Sequence, residues 1–129
     1  MNNSQSKLYF RWYHYLNNLD FKYFTMKSFT EGDISQLEKR RPFSNTKACP
    51  AGFLPVIFPQ WSWFYDGIPL LKEKSTEMFS KDIELFFGLS EEQALNICVP
   101  KRYDKPTLNA VLTRMYKIAK TYGYKIELK

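Results

Sequence analysis

The side chains that most often perform catalysis or bind metal ions are few in this chain and lie far apart. His14 is the only histidine, and it stands among aromatic residues. A lone imidazole in such a setting is more often packed or solvated than a general base. Cys49 and Cys98 have no local base or charge that would activate a thiolate. We therefore expect no catalytic residue, no metal site and no cofactor, and hence no enzyme.

Other chemical signals have ordinary structural explanations. The acidic pair Glu91-Glu92 follows Ser90 in a predicted first helical turn, where carboxylates favour the positive end of the helix dipole. Gly52, Gly67 and Gly88 are isolated and form no phosphate-binding loop. Two helical patterns joined by a Gly-Leu-Ser turn are similar to a DNA-binding helix-turn-helix, but the acidic pair would repel phosphates.

The net charge of +6 is concentrated near the end of the sequence. Residues 1–100 hold equal numbers of basic and acidic side chains, so the whole excess lies in residues 101–129. Such a region attracts nucleic acid, acidic protein surfaces or anionic ligands. The candidate residues for binding a nucleic acid or a nucleotide are Arg102, Lys105, Arg114, Lys117 and Lys120. A solvated helix face is the alternative for the same residues.

Aromatic residues make up 18% of the chain, and such residues are enriched at protein interfaces. An aromatic-rich core is the alternative explanation. The aromatic residues that a core does not require lie beside the apolar stripe of the first predicted helix and within the Pro-rich middle of the chain. The candidate protein-binding residues are Tyr9, Phe10, Tyr13, Trp61, Trp63 and Tyr65. Such a surface would also suit a homo-oligomer. An aromatic pocket in the middle could instead hold a nucleotide-like ligand.

Helices are predicted to position most of these residues. Helical spacing predicts a first helix over residues 6–19 and a brief one from Asp33. Two short helices meet at Gly88, and Ser90 begins the second with a capping box. The last long helix is predicted to open at Pro106 and to end at Gly123, before a tail that could add a strand.

The middle of the chain, residues 43–72, contains four prolines that exclude long helices. Asp66-Gly67 lies between apolar residues and predicts a small hairpin, because this dipeptide supplies the turn with positive φ. Pro69 limits that hairpin to an edge pair.

Size and composition predict one domain over residues 1–129, mainly α, a small helical bundle with a short β-hairpin or edge strand. The chain has 129 residues, of which 44% are hydrophobic and 25% charged, as in a folded globular domain. The polar start and the lack of a long apolar run predict neither secretion nor membrane insertion. We expect a cytoplasmic protein in which both cysteines are half-buried and reduced.

Three segments resemble a family of small proteins from phages and bacterial genomes. They are Phe24-Thr25-Met26-Lys27-Ser28-Phe29, Asn45-Thr46-Lys47-Ala48-Cys49-Pro50-Ala51-Gly52 and Phe86-Phe87-Gly88-Leu89-Ser90-Glu91-Glu92-Gln93-Ala94. In that family the middle motif reads Cys-Gly-Thr-x-x-Cys-x-x-Gly. Here Ser44 and Asn45 replace its first Cys-Gly, so the first thiol of the motif is absent and Cys49 has no partner thiol from it.

The resemblance implies a phage or mobile-element accessory protein, a class that often binds and disables a host or defence component. The expected function is therefore non-catalytic binding to a host protein complex, in counter-defence or host takeover, within the host cytoplasm. The alternative is binding of nucleic acid or a nucleotide-like signal through the basic final helix.

Overall fold

The computed structural model describes residues 1–31, 47–64 and 67–124. Within them the chain forms five α-helices: α1 (Asn3–Asn17), α2 (Leu54–Ile57), α3 (Phe79–Phe87), α4 (Glu91–Cys98) and α5 (Leu108–Thr121). Two antiparallel strand pairs accompany them: β1 (Thr30–Glu31) with β2 (Lys47–Ala48), and β3 (Trp61–Trp63) with β4 (Pro69–Leu71). The prediction of a mainly α domain with a small hairpin is confirmed.

Helix α1 begins earlier than the spacing of apolar residues predicts. The Asn2 side chain accepts the N–H of Gln5 at 2.8 Å, and the Gln5 side chain accepts the N–H of Asn2 at 2.9 Å. This capping box satisfies backbone donors that would otherwise lack partners, so it extends the helix to Asn3.

The prediction that Tyr9 and Tyr13 lie outside the buried stripe of α1 is wrong. Tyr9 is 0% and Tyr13 3% exposed, because α1 packs against α2, α3 and α5 and therefore buries a wide face. The Tyr9 hydroxyl donates to the Met115 carbonyl at 2.6 Å. Next to it, the Trp12 ring stacks on Phe87 with centroids 4.7 Å apart. These aromatics are core residues.

Helices α3 and α4 meet as the sequence predicts. Gly88 adopts a left-handed conformation, with φ of 70°, and ends α3. Ser90 and Gln93 form the predicted capping box at the start of α4. Local sequence therefore determines this turn.

Helix α5 begins two residues later than predicted. Thr107 is its N-cap, and the Thr107 hydroxyl accepts the N–H of Ala110 at 3.2 Å. Pro106 therefore precedes the cap instead of opening the helix. Gly123, with φ of 80°, follows the helix end as predicted.

The predicted hairpin forms, with Trp61 opposite Leu71 and Trp63 opposite Pro69. Gly67 supplies the positive φ, at 75°. The helix predicted from Asp33 and the strand predicted beyond Tyr124 lie outside the described residues. In the part of the chain that the structure describes, no helix has the length and apolar character to cross a membrane.

Candidate functional site

The outward face of the β3–β4 hairpin is mainly apolar, although a solvent-facing strand surface is usually polar. Successive side chains of a strand point to opposite faces, so Trp61 and Pro69 face the core, where both are buried. Ser62 lies on the other face, opposite Leu70, together with the three apolar side chains of Phe64, Ile68 and Leu70. Phe64 is 44% exposed, and the other two are half-buried. We call these three residues the hairpin face.

Two grooves adjoin the hairpin face. One has a volume of about 520 Å³ and is lined by Phe64, Ile68, Leu70, Leu71, Lys72, Ser75 and Glu77. The other has a volume of about 510 Å³ and is lined by Pro59, Gln60, Leu71, Lys72, Glu73, Lys74 and Phe86. Leu71 and Lys72, at the end of β4, line both grooves. Their floor is apolar, and charges of both signs lie at the rim.

The outer backbone edge of β4 is blocked. The N–H of Phe64 donates to Ile68 and the N–H of Lys72 to Gln60, so the backbone groups of the alternate residues Pro69 and Leu71 point away from β3. Pro69 has no N–H to donate. The N–H of Leu71 donates to the Asp82 carboxylate at 3.0 Å. A partner would therefore meet side chains here and not add a strand.

The Asp82 carboxylate is fully buried and also holds the loop between β4 and α3. It accepts hydrogen bonds from the Ser75 hydroxyl at 2.7 Å and from the N–H and hydroxyl of Thr76, both at 2.8 Å. Burial acts to raise the Asp82 pKa, but the hydrogen bonds from Thr76, Ser75 and Leu71 outweigh it. The pKa consequently lies below its ordinary value of 3.8.

Three of the six predicted protein-binding aromatics are buried. Besides Tyr9 and Tyr13, Trp61 is only 1% exposed, so its prediction is wrong. Trp63 is half-buried, and its indole N–H donates to the Gly52 carbonyl at 2.9 Å. Phe10 is half-buried against the Tyr124 ring. Tyr65 lies outside the described residues.

The sequence predicted the hairpin, but the candidate residues Trp61 and Trp63 lie on its core side. The prediction rested on the large rings of Trp61 and Trp63, whereas the hairpin face is formed by residues that alternate with them along the chain. Period-two alternation through the Asp66-Gly67 turn was the signal that could have found Phe64, Ile68 and Leu70.

Two members of the basic set bind other parts of the chain. The Arg114 guanidinium lies 3.6 Å from the centre of the Tyr103 ring. It donates to the Asn96 carbonyl at 2.8 Å and also to the Arg102 carbonyl. Arg102 in turn forms an ion pair with Glu92 at 2.9 Å. Arg114 is therefore a packing residue that joins α5 to the end of α4.

The other three basic candidates, Lys105, Lys117 and Lys120, are exposed. The Lys120 ammonium lies 5.8 Å from the centre of the Tyr116 ring. The structure thus divides the predicted set into two anchored arginines and three solvated lysines.

The nucleophilic candidates are in apolar surroundings. Both Cys49 and Cys98 are buried, more deeply than predicted, and unpaired as thiols. Burial raises the pKa of Cys49 to about 11 and that of Cys98 well above its ordinary value.

Glu91 and Glu92 form surface ion pairs with Lys81 and Arg102. Among residues 1–31, 47–64 and 67–124, no group of three His, Cys, Asp or Glu side chains could hold a metal ion.

Comparison of the chain with protein-family models, with curated proteins and with solved structures gives no match.

Proposed function

We propose that this protein is a non-catalytic binding protein that contacts a partner protein through the hairpin face. The observation that carries the proposal is the exposed apolar side of a two-stranded hairpin, formed by Phe64, Ile68 and Leu70. Apolar surface of this kind, bordered by polar residues, is typical of protein interaction sites.

The surroundings of the hairpin face support side-chain recognition. Lys72 and Glu77 line the first groove beside the apolar floor, which matches the usual pattern of an apolar interface centre with a polar rim. The blocked edge at Pro69 and Leu71 argues against β-strand addition. A partner would therefore insert apolar side chains into the grooves.

The resemblance to phage and bacterial proteins motivates the identity of the partner. We propose that it is a host or defence-system protein in the cytoplasm of the host cell, and that binding inhibits it. Binding of nucleic acid or a nucleotide through Lys105, Lys117 and Lys120 is the competing outcome, and the test below separates the two.

The test is affinity capture from host-cell lysate with wild-type protein and the variants Phe64→Ser and Leu70→Ser. We expect one protein partner that wild type retains after nuclease treatment and at raised salt, because apolar contacts are little screened by ions. Each hairpin variant should lose most of that partner.

Phe21→Ser is the matched control, since Phe21 is 79% exposed and lies away from the hairpin. It should capture the partner as wild type does. Thermal unfolding of all variants checks that lost capture does not reflect lost folding. Retention of the partner by both hairpin variants would exclude this site, and recovery of only nuclease-sensitive, salt-sensitive material would favour nucleic-acid binding.

A further inference from the structure

The first segment that carries the family resemblance, residues 24–29, and the described part of the second, residues 47–52, are joined into one structural unit. The N–H of Thr25 donates to the Ala48 carbonyl at 3.1 Å, and the N–H of Cys49 donates to the Phe29 carbonyl at 3.1 Å. Gly52 packs tightly in this unit, because a Cβ there would lie 1.9 Å from the Phe29 carbonyl oxygen. The unit includes none of the three residues of the hairpin face, although Gly52 accepts the indole N–H of Trp63 in β3.

This unit borders a cleft that has two lobes, which we call the motif cleft. The outer lobe, about 540 Å³, is lined by Phe24, Thr25, Met26, Lys27, Lys47, Pro100 and Pro106. The inner lobe, about 260 Å³, is lined by Met26, Lys27, Ser28, Phe29, Cys49, Phe79, Cys98, Val99 and Pro100. Met26, Lys27 and Pro100 line both lobes, so the lobes are adjacent.

The outer lobe is cationic. Its two charged lining residues, Lys27 and Lys47, are both positive, and no carboxylate lines this lobe among the described residues. Two ammonium groups at one opening favour an anionic ligand group.

The inner lobe is mainly apolar, although Lys27 and Ser28 are among its lining residues. Phe29 and Phe79 meet edge to face in it, with ring centroids 4.8 Å apart. Because burial raises the pKa of Cys49 and Cys98, their side chains remain neutral thiols, which are weak hydrogen-bonding groups. This lining suits an apolar ring better than a nucleobase, whose polar edge atoms would lack partners.

We propose that the motif cleft binds a small amphipathic anion, in which an aromatic ring is joined to a phosphate or carboxylate group. The anionic group lies between Lys27 and Lys47 in the outer lobe. The ring enters the inner lobe beside Phe29 and Phe79. This site is independent of the hairpin face, so it adds a ligand to the proposed partner protein.

The test is isothermal titration calorimetry, in which the purified full chain is titrated separately with 1-naphthyl phosphate, inorganic phosphate and 1-naphthol. We expect 1-naphthyl phosphate to bind at least about tenfold more tightly than either of the other two, because it alone occupies both lobes. A parallel titration with 1-naphthoate shows whether phosphate or carboxylate is the preferred anionic group.

Variants then locate the binding. The pair Lys27→Met and Lys47→Met should weaken 1-naphthyl phosphate binding by about tenfold or more. The pair Lys117→Met and Lys120→Met removes the same net charge from the basic face of α5 and should leave binding unchanged. Circular dichroism and thermal unfolding of each variant verify the fold.

Two results would overturn the proposal. One is equal affinity for 1-naphthyl phosphate and for either of its halves, since a two-lobed site must prefer the joined molecule. The other is an equal loss of affinity in the two lysine pairs, which would assign the binding to general charge attraction.

Discussion

Asp82, in the first turn of α3, accepts the backbone N–H of Leu71 at 3.0 Å and so connects the hairpin to the helices. The same buried carboxylate receives three further hydrogen bonds from Ser75 and Thr76. One side chain therefore fixes both the position of β4 and the loop that forms one wall of the groove beside the hairpin face.

Replacement of Asp82 by Asn should destabilise the protein. The NH2 group of the new amide would face groups that donate hydrogen bonds and could not accept from them. Buried donors would then lack partners, which should lower the free energy of unfolding by about 3 kcal/mol. Chemical denaturation measures this loss. Asp104→Asn, at an exposed position, is the control and should change stability by less than about 0.5 kcal/mol. Equal effects would mean that the Asp82 network contributes little.

The contribution of Asp82 should depend on pH. Its pKa in the folded state is lower than its ordinary value of 3.8, so the unfolded chain binds the proton more readily. The stabilisation is therefore complete above the unfolded pKa and is lost as pH falls through the folded pKa. The difference in unfolding free energy between wild type and Asp82→Asn should shrink below about pH 4. A difference that stays constant or grows on acidification would contradict this assignment.

Arg114 should matter for stability more than for anion binding. Arg114→Met removes the stacking on Tyr103 and the hydrogen bond to the Asn96 carbonyl, and we expect a loss of about 2 kcal/mol. Lys117→Met, one helical turn away and exposed, should cost less than about 0.5 kcal/mol. Thermal and denaturant unfolding compare the two. An unchanged stability in Arg114→Met would restore Arg114 to the candidate anion-binding residues.

The cysteines should react slowly with thiol reagents in the native protein. Raising the Cys49 pKa from 9.0 to about 11 lowers its thiolate fraction at neutral pH about a hundredfold, and the thiolate is the reactive form. Labelling with Ellman's reagent in buffer and in denaturant measures the ratio of rates. Labelling of the Cys49→Ser and Cys98→Ser variants shows which cysteine accounts for each phase of the labelling reaction. Rapid labelling of either cysteine in the native state would show that its surroundings favour the thiolate.

Features set by local sequence were predictable. The Gly88 turn and the Ser90 capping box depend on residues within four positions of one another, and the Asp66-Gly67 hairpin depends on its own turn. These signals require no knowledge of distant packing, so they appear in the structure as the sequence predicts.

Features set by tertiary packing were not predictable. Helical period indicates the centre of the buried stripe of α1, but not its width, which depends on how many elements surround the helix. Tyr9 and Tyr13 are buried for this reason. The sequence likewise predicts that Arg114 is solvated, because its contact with the Tyr103 ring forms only in the folded protein. The hairpin face was missed because the large tryptophan rings were given more weight than the alternation of side chains along the strands.

The division of labour within the hairpin has a consequence for the evolution of this surface. The outer edge of β4 offers no free N–H to a strand of a neighbouring molecule, because Pro69 has none and that of Leu71 donates to Asp82. Neither Pro69 nor Asp82 belongs to the hairpin face. Substitutions at Phe64, Ile68 and Leu70 could therefore alter the proposed binding surface while this edge of β4 stays blocked.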